Sequence, residues 1–417
     1  MGYLGPLGDA ERRVLFERHA DTPRSATHAA RTPSPTPDRL RRGDREKPHP
    51  ARQVWRVGTR LDRARIGMTL HKAVVEHTSE PAFEVDPLWP RLPQGWTLGQ
   101  VSGLDVDARD HVWIIHRPWS ASANRDAGES AVPAPPVIEF DAAGQVVQAW
   151  GGPGPGYEWP ADEHTIHVDG EGHVWLSSAG GPRLSDGIEN QILKFTSDGR
   201  FLLQVGRRGR SKGSLDPDNF NNAADIFAPA GRHEVFVADG YLNRRVIVLD
   251  AETGACRRFW GAFGNVPDDA APNRRIAGRR SAEQFNVVHG VRVSTDGLVY
   301  VADRLNDRIQ IFTVDGRFQG EHLIDNPRPK LGAVVSLAFS PAPAQSYLLV
   351  ADADAARVRL LERRTLTEVA HVGTAGLGPG AFAFLHNVAM DSKGNVYTSE
   401  IVGRRVQRFR PRHWGLR

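Results

Sequence analysis

One pattern recurs six times in these 417 residues, and it leaves little freedom in what the chain can fold into. Its clearest copy is FNVVHGVRVSTDGLVYVADRLNDRIQIF, from Phe285 to Phe312. A His is followed by a short alternating run through Val291 and Val293, a turn at Asp296-Gly297, a second run from Leu298 to Ala302, a polar loop and a third run, Arg308 to Phe312. An Asp315-Gly316 turn then leads into a fourth strand. Period-two apolar runs of about five residues joined by Asp-Gly turns are the signature of antiparallel hairpins. Related stretches begin at Val101, His164, Ala223, Val334 and His386. Each predicts one four-stranded sheet that cannot bury both faces alone, so the sheets must stack around an axis. The reading is an all-β, six-bladed β-propeller with one blade per repeat.

The last repeat ends near Phe409, with no room for a fourth strand of its own. The segment Phe83 to Gln100 is therefore expected to complete blade six and seal the ring, removing an exposed edge. Within it, Trp96 and Gly99 imitate the blade-ending pairs Trp150-Gly151 and Trp260-Gly261.

The formal net charge of +4 divides unevenly. Residues 1–80 hold 16 Lys or Arg against 10 Asp or Glu, which leaves residues 81–417 near −2. Arg31 to Arg52 mix Pro, Arg and Asp with almost no apolar residue. Such a composition predicts a disordered basic tail over 1–80, ahead of a propeller over 81–417. With the basic excess outside the blades, no nucleic-acid partner is expected, and a monomer is. No apolar run approaches the roughly 18 residues of a membrane span, and no secretory signal is read in the chain as given. A single cysteine, Cys256, excludes an intrachain disulfide.

Aligned in one register, the six blades place Ser102, His164, Ala224, His289, Val335 and His386 at the same point of the innermost strand. Histidine thus occupies alternate blades, a third of a turn apart, facing the channel. With 16 His in the chain, three hits at chosen points by chance are rare. Three nitrogens around an open fourth position are the donor set of a catalytic zinc or a similar divalent transition metal. His111, His116, His167 and His173 fall out of this phase and read as structural.

The run LGQVSGLDVDARDHVWIIHRP, the triple-His register, DGYLNRRV (Asp239 to Val246) and VADRLNDRIQIF (Val301 to Phe312) together resemble the peptidyl-α-hydroxyglycine α-amidating lyases, over about Val85 to Phe409. The resemblance implies an NHL-type six-bladed propeller with zinc in its channel, cleaving a carbinolamide to a peptide amide and glyoxylate. It places zinc ligands at His164, His289 and His386 and an active-site arginine at Arg117. It places an active-site tyrosine at Tyr241 and a second channel arginine at Arg304. It also implies a structural calcium held by the carbonyls of Leu104 and Ile166 and by the carboxylate after the third His. Asn387 stands at that last position and brings no charge. Family disulfide positions hold Asn221, Leu242, Tyr300 and Ile311 here, so those staples are missing.

An α-hydroxyglycine end offers a carboxylate and a geminal hydroxyl, both able to reach zinc. Arg117 suits the carboxylate because its planar fork binds bidentately, and Tyr241 is the candidate proton carrier. The expected substrate is a peptide or small molecule with that end. Two other classes stay open at this stage: a metal-dependent hydrolase or lactonase on a propeller, and a non-catalytic NHL-repeat binding protein.

Overall fold

The structure is a computed structural model that describes residues 83–412 apart from 124–130, 180–188, 273–281, 328 and 342. The tail expected over 1–80 lies outside the described residues. Six four-stranded antiparallel sheets are present, as the repeats predict. Their innermost strands are Gln100–Val106, Glu163–Val168, Asp225–Phe227, Val288–Val293, Ser336–Phe339 and Leu385–Met390, for blades one to six. Among the described residues the only helical turns are short 3-10 segments, and no helix is long and apolar enough to cross a membrane.

The apolar residues fall into six buried clusters, one for each pair of adjacent blades. The second strand of blade four, Leu298–Asp303, shows how a strand serves two of them. Val299 and Val301 enter the seam with blade three, while Tyr300 and Ala302 enter the seam with blade five. Successive side chains point to opposite faces of a strand, so a strand buried on both faces reads as an unbroken apolar run.

Blade six is closed by the far end of the described chain. Phe83–Asp86 pairs with Val406–Pro411, from Phe83 opposite Pro411 to Asp86 opposite Arg408. The strand comes from the expected segment but not from its Trp96. Trp96–Thr97 instead forms a short parallel pair with Val132–Pro133, because the chain has by then turned away from the sheet and covers blade one. Trp89 plugs that turn, packing 4.9 Å from the Tyr397 ring and 5.8 Å from that of Phe140. The buried Asp86 carboxylate then receives the guanidiniums of Arg408 and Arg410 together with the Leu88 N–H.

A second repeated device stands where the second and third strands of a blade meet. Asp239 pairs with Arg245 at 2.8 Å, Asp303 with Arg308 at 2.6 Å, Asp352 with Arg359 at 2.7 Å and Glu400 with Arg405 at 2.6 Å. The first two pairs are wholly buried. Each clasps the ends of the loop between the two strands, and two of those loops carry Tyr241 and Arg304. The positions left without cysteine are held by backbone pairing: the Leu242 N–H donates to the Asn221 carbonyl at 3.3 Å, and Tyr300 faces Ile311 across the strands.

Two expectations follow. Removing residues 1–80 should leave cooperative unfolding intact, whereas cutting on through Asp86 should abolish it, read by urea denaturation. Asp86→Ala should cost about 1–3 kcal/mol, because it takes the carboxylate from the largely buried Arg408, while the exposed Arg410 keeps its water.

Candidate metal centre

Each site histidine is the extra residue of a β-bulge. In blade four Val288 pairs with Asp303 and Gly290 with Ala302, which leaves His289 opposite nothing. The same two-against-one count brackets His164 and His386. A bulge breaks the in-out alternation and re-aims one side chain, here toward the channel, while its neighbours stay in the interblade seams. The three rings stand 5.0 to 5.1 Å apart, and their candidate ligand atoms all lie within 4.8 Å of one another.

The non-histidine positions of the register have a role of their own. His164 Nδ1 lies 2.8 Å from the Ala224 carbonyl, His289 Nδ1 lies 2.7 Å from that of Val335, and His386 Nδ1 lies 2.7 Å from that of Ser102. Each imidazole therefore leans on the next blade. A carbonyl only accepts, so Nδ1 carries the proton and Nε2 presents a lone pair to the channel. Burial holds His164 and His289 well below the ordinary imidazole value. His386 is held down to about 3, by burial and then by the Arg304 and Arg117 charges. All three are neutral, as ligation of a metal requires.

Tyr241 overhangs the trio. Its hydroxyl is 2.9 Å from His164 Nε2, 3.0 Å from His289 Nε2 and 3.4 Å from Arg304 Nη1. The arginine donates to the phenol oxygen, so the phenol has one proton to offer two lone pairs. At least one Nε2 is left facing an acceptor, an arrangement that a cation among the three nitrogens resolves. Burial pushes the Tyr241 phenol above its ordinary value, against the pull of Arg304 and Arg117, so it stands protonated.

Local backbone puts Tyr241 there. Its φ is +76°, a left-handed conformation costly for a bulky residue. The preceding Gly240 makes this approach feasible, since a Cβ there would meet the Val288 carbonyl oxygen at 2.0 Å. Arg304 is similarly cradled: a Cβ on Gly332 would fall 2.6 Å from its Cγ, and its Nε donates to the Leu331 carbonyl. The face of Phe384 lies 5.6 Å from the Arg304 guanidinium.

Arg117 ends the second strand of blade one, with its side chain aimed at blade two. Its Nε donates to the Glu163 carbonyl at 2.9 Å and lies 2.7 Å from the Asp162 carboxylate. Its Nη1 donates to Gln100 Oε1 at 2.8 Å. Asp162 is buried and its carboxyl is pushed up to about 7 by burial, with Arg117 pulling the other way. Glu163, bonded to the Trp159 indole at 3.0 Å, is also raised by burial. Asp162, Gln100 and Phe384 were missed as site residues. All three lie two positions before Ser102, His164 or His386, so carrying the register back two residues would have found them.

The residues linked to calcium are placed as follows. Leu104 and Ile166 are buried in the first strands of blades one and two. Asn387 follows His386, and its Oδ1 accepts from Ser336 Oγ at 2.7 Å and from the Val388 N–H at 2.9 Å. Of the histidines read as structural, His116 is buried between the Gly99 N–H and the Pro135 carbonyl, and His111 bonds Glu139 at 2.7 Å. His173 bonds Asp169 at 3.2 Å. His167 is buried three residues past His164 on the same strand and bonds Asp105 at 2.7 Å.

The NHL repeat family matches residues 285–312, the same stretch that carries the clearest repeat. NHL repeat-containing protein 3 of Mus musculus is 26% identical over 80% of this chain and 86% of its own length. Peptidyl-alpha-hydroxyglycine alpha-amidating lyase 1 of Drosophila melanogaster is 25% identical over 75% of this chain and 57% of its own length. Among solved structures, one titled "Streptogramin B lyase structure" superposes with a TM-score of 0.47 at 14% identity, over 79% of this chain and 99% of that one. The chain is a six-bladed β-propeller that carries one NHL-repeat match and is similar, at about a quarter identity, to NHL repeat-containing protein 3 and to the amidating lyases.

Proposed function

We propose that this protein is a metal-dependent carbon–nitrogen lyase acting on N-acyl-α-hydroxyglycines or related carbinolamides, releasing an amide and glyoxylate. The observation that carries the reading is the alternating trio itself. Three neutral imidazoles present Nε2 to one point, each fixed by a backbone carbonyl of the neighbouring blade. Zinc suits three nitrogen donors with a position left for substrate, and when bound it would act as a Lewis acid toward substrate oxygens.

The chain's own groups fit the remaining needs of the reaction. In the cleavage the substrate hydroxyl loses its proton and its oxygen becomes the aldehyde carbonyl of glyoxylate. The C–N bond breaks, and the nitrogen leaves with the electron pair and takes a proton. Tyr241, protonated and supported by Arg304, suits donation of that proton, and the proton lost from the substrate hydroxyl restores the phenol, so that no net proton is gained or lost. Arg304 and Arg117 give the channel mouth the positive charge that a substrate carboxylate needs. The Nε edge of Arg117 is already taken by Glu163 and Asp162, so a carboxylate would meet its two Nη groups. Gln100 and Asp162 hold the guanidinium in place for that contact.

The decisive experiment is metal analysis together with glyoxylate release from an N-acyl-α-hydroxyglycine. About one equivalent of metal and turnover are expected. Metal without turnover would favour the binding-protein reading, and no metal would overturn the site. Replacing any one of His164, His289 or His386 by Ala should lower metal affinity by at least about 10- to 100-fold with the far-ultraviolet dichroism unchanged.

Tyr241→Phe should lower kcat by about 10²- to 10⁴-fold with little change in KM. Arg117→Lys should chiefly raise KM, since it keeps the charge and loses the fork. A depressed imidazole value means that protons compete for the ligands only in strong acid. Acidification from about pH 7 to pH 5 should therefore leave the metal bound, checked by dialysis and elemental analysis.

A further inference from the structure

Three residues past His164 and His289 on the same inner strands, His167 and Arg292 belong to a layer of polar contacts that the chain makes with itself. Asp225, one position past the blade-three register point, accepts the Val291 N–H at 3.0 Å, the Thr165 hydroxyl at 3.2 Å and the Arg292 guanidinium. Arg292 also donates to the Val291 carbonyl at 2.7 Å, and its guanidinium lies 5.4 Å from the Phe227 ring centre. Asp105 accepts from His167 at 2.7 Å and from the Val168 N–H at 2.9 Å. These contacts tie blade one to two, two to three and three to four. The Ser336–Asn387 bond ties five to six.

A calcium ion takes six to eight oxygens and draws most of its affinity from carboxylates. The donors that the family resemblance would supply, the Leu104 and Ile166 carbonyls with residue 387, include no charge here. The amide oxygen of Asn387 is already bonded twice. At this level Asp225 is matched by the Arg292 guanidinium, and Asp105 already accepts from His167 and from the Val168 N–H. The residues present do not fit calcium. We infer that the Arg292 guanidinium, braced by Asp225, takes the structural place of a divalent cation in the channel, so that the propeller holds together without calcium. The inference rests on this layer alone and stands whether or not the histidines support catalysis.

The test is thermal unfolding of the full chain, passed through EGTA and then reloaded with zinc, with and without about 1 mM calcium. Calcium should leave Tm unchanged to within about 1 °C, and isothermal calorimetry should show no calcium binding; a rise of about 3 °C or more overturns the inference. Arg292→Met combined with Asn387→Asp removes the internal cation and restores a carboxylate. This variant should melt well below the parent without calcium and recover at least about 3 °C with it. A folded double variant indifferent to calcium would show that the guanidinium does not stand in for the ion. If the double variant does not fold, the calcium response of the unaltered chain decides the question alone.

Discussion

The ring stands on one pairing, that of Phe83–Asp86 with Val406–Pro411. A propeller blade buries its faces only against neighbours, so an open ring would leave two apolar faces and two strand edges in water. Here the two ends of the described chain meet within one sheet, and Asp86 locks them with charge-assisted hydrogen bonds from Arg408 and Arg410. Once the ring is shut, every blade packs against two neighbours, and the register points of blades two, four and six come to the same height on the axis. The site depends on that equality of height, since three side chains from residues far apart in sequence must meet at one point.

Meeting there also needs a departure from ideal pairing. A flat strand would send the residue at the register point into a seam or align it with its neighbours. The bulge at each histidine instead gives one residue to the channel and returns the next to the sheet. The clasped loops add to this geometry. Buried Asp–Arg pairs at the loop ends hold Tyr241 and Arg304 against the histidines, so the strained φ of Tyr241 is imposed by its surroundings. A layer of fixed imidazoles, a positioned phenol and two guanidiniums is the kind of preorganised polar environment in which charge can develop at low reorganisation cost.

Much of this was legible in the residues. The number of blades, the strand order within each blade and the shared register of the histidines all follow from a period-two pattern punctuated by Asp-Gly turns, because turn chemistry and alternation are local properties. What was not legible depends on three dimensions. Trp96 looked like a blade-ending residue, yet the closing strand is Phe83–Asp86; both stretches are compatible with a strand, and only the sheet they can reach separates them. The bulges leave no mark in composition. Asp162 beside Arg117 was invisible because a carboxylate next to a histidine is unremarkable until burial removes its water. The carbonyls of Ser102, Ala224 and Val335 carry no side-chain signal at all, and their value lies wholly in what leans on them.

That last feature has a bearing on how such a chain can change over time. Each histidine rests on the carbonyl of the following blade, and each following blade supplies no imidazole. The scheme closes on itself only when the number of blades is even. Repeat proteins are built from like units that contact only their neighbours, so a change of one unit is the simplest change of length. The histidine trio would not keep its spacing, since somewhere around an odd ring two imidazoles or two empty positions would become neighbours. Parity therefore ties the arrangement in this channel to an even number of blades, and a change of one blade would break the alternation on which the trio rests.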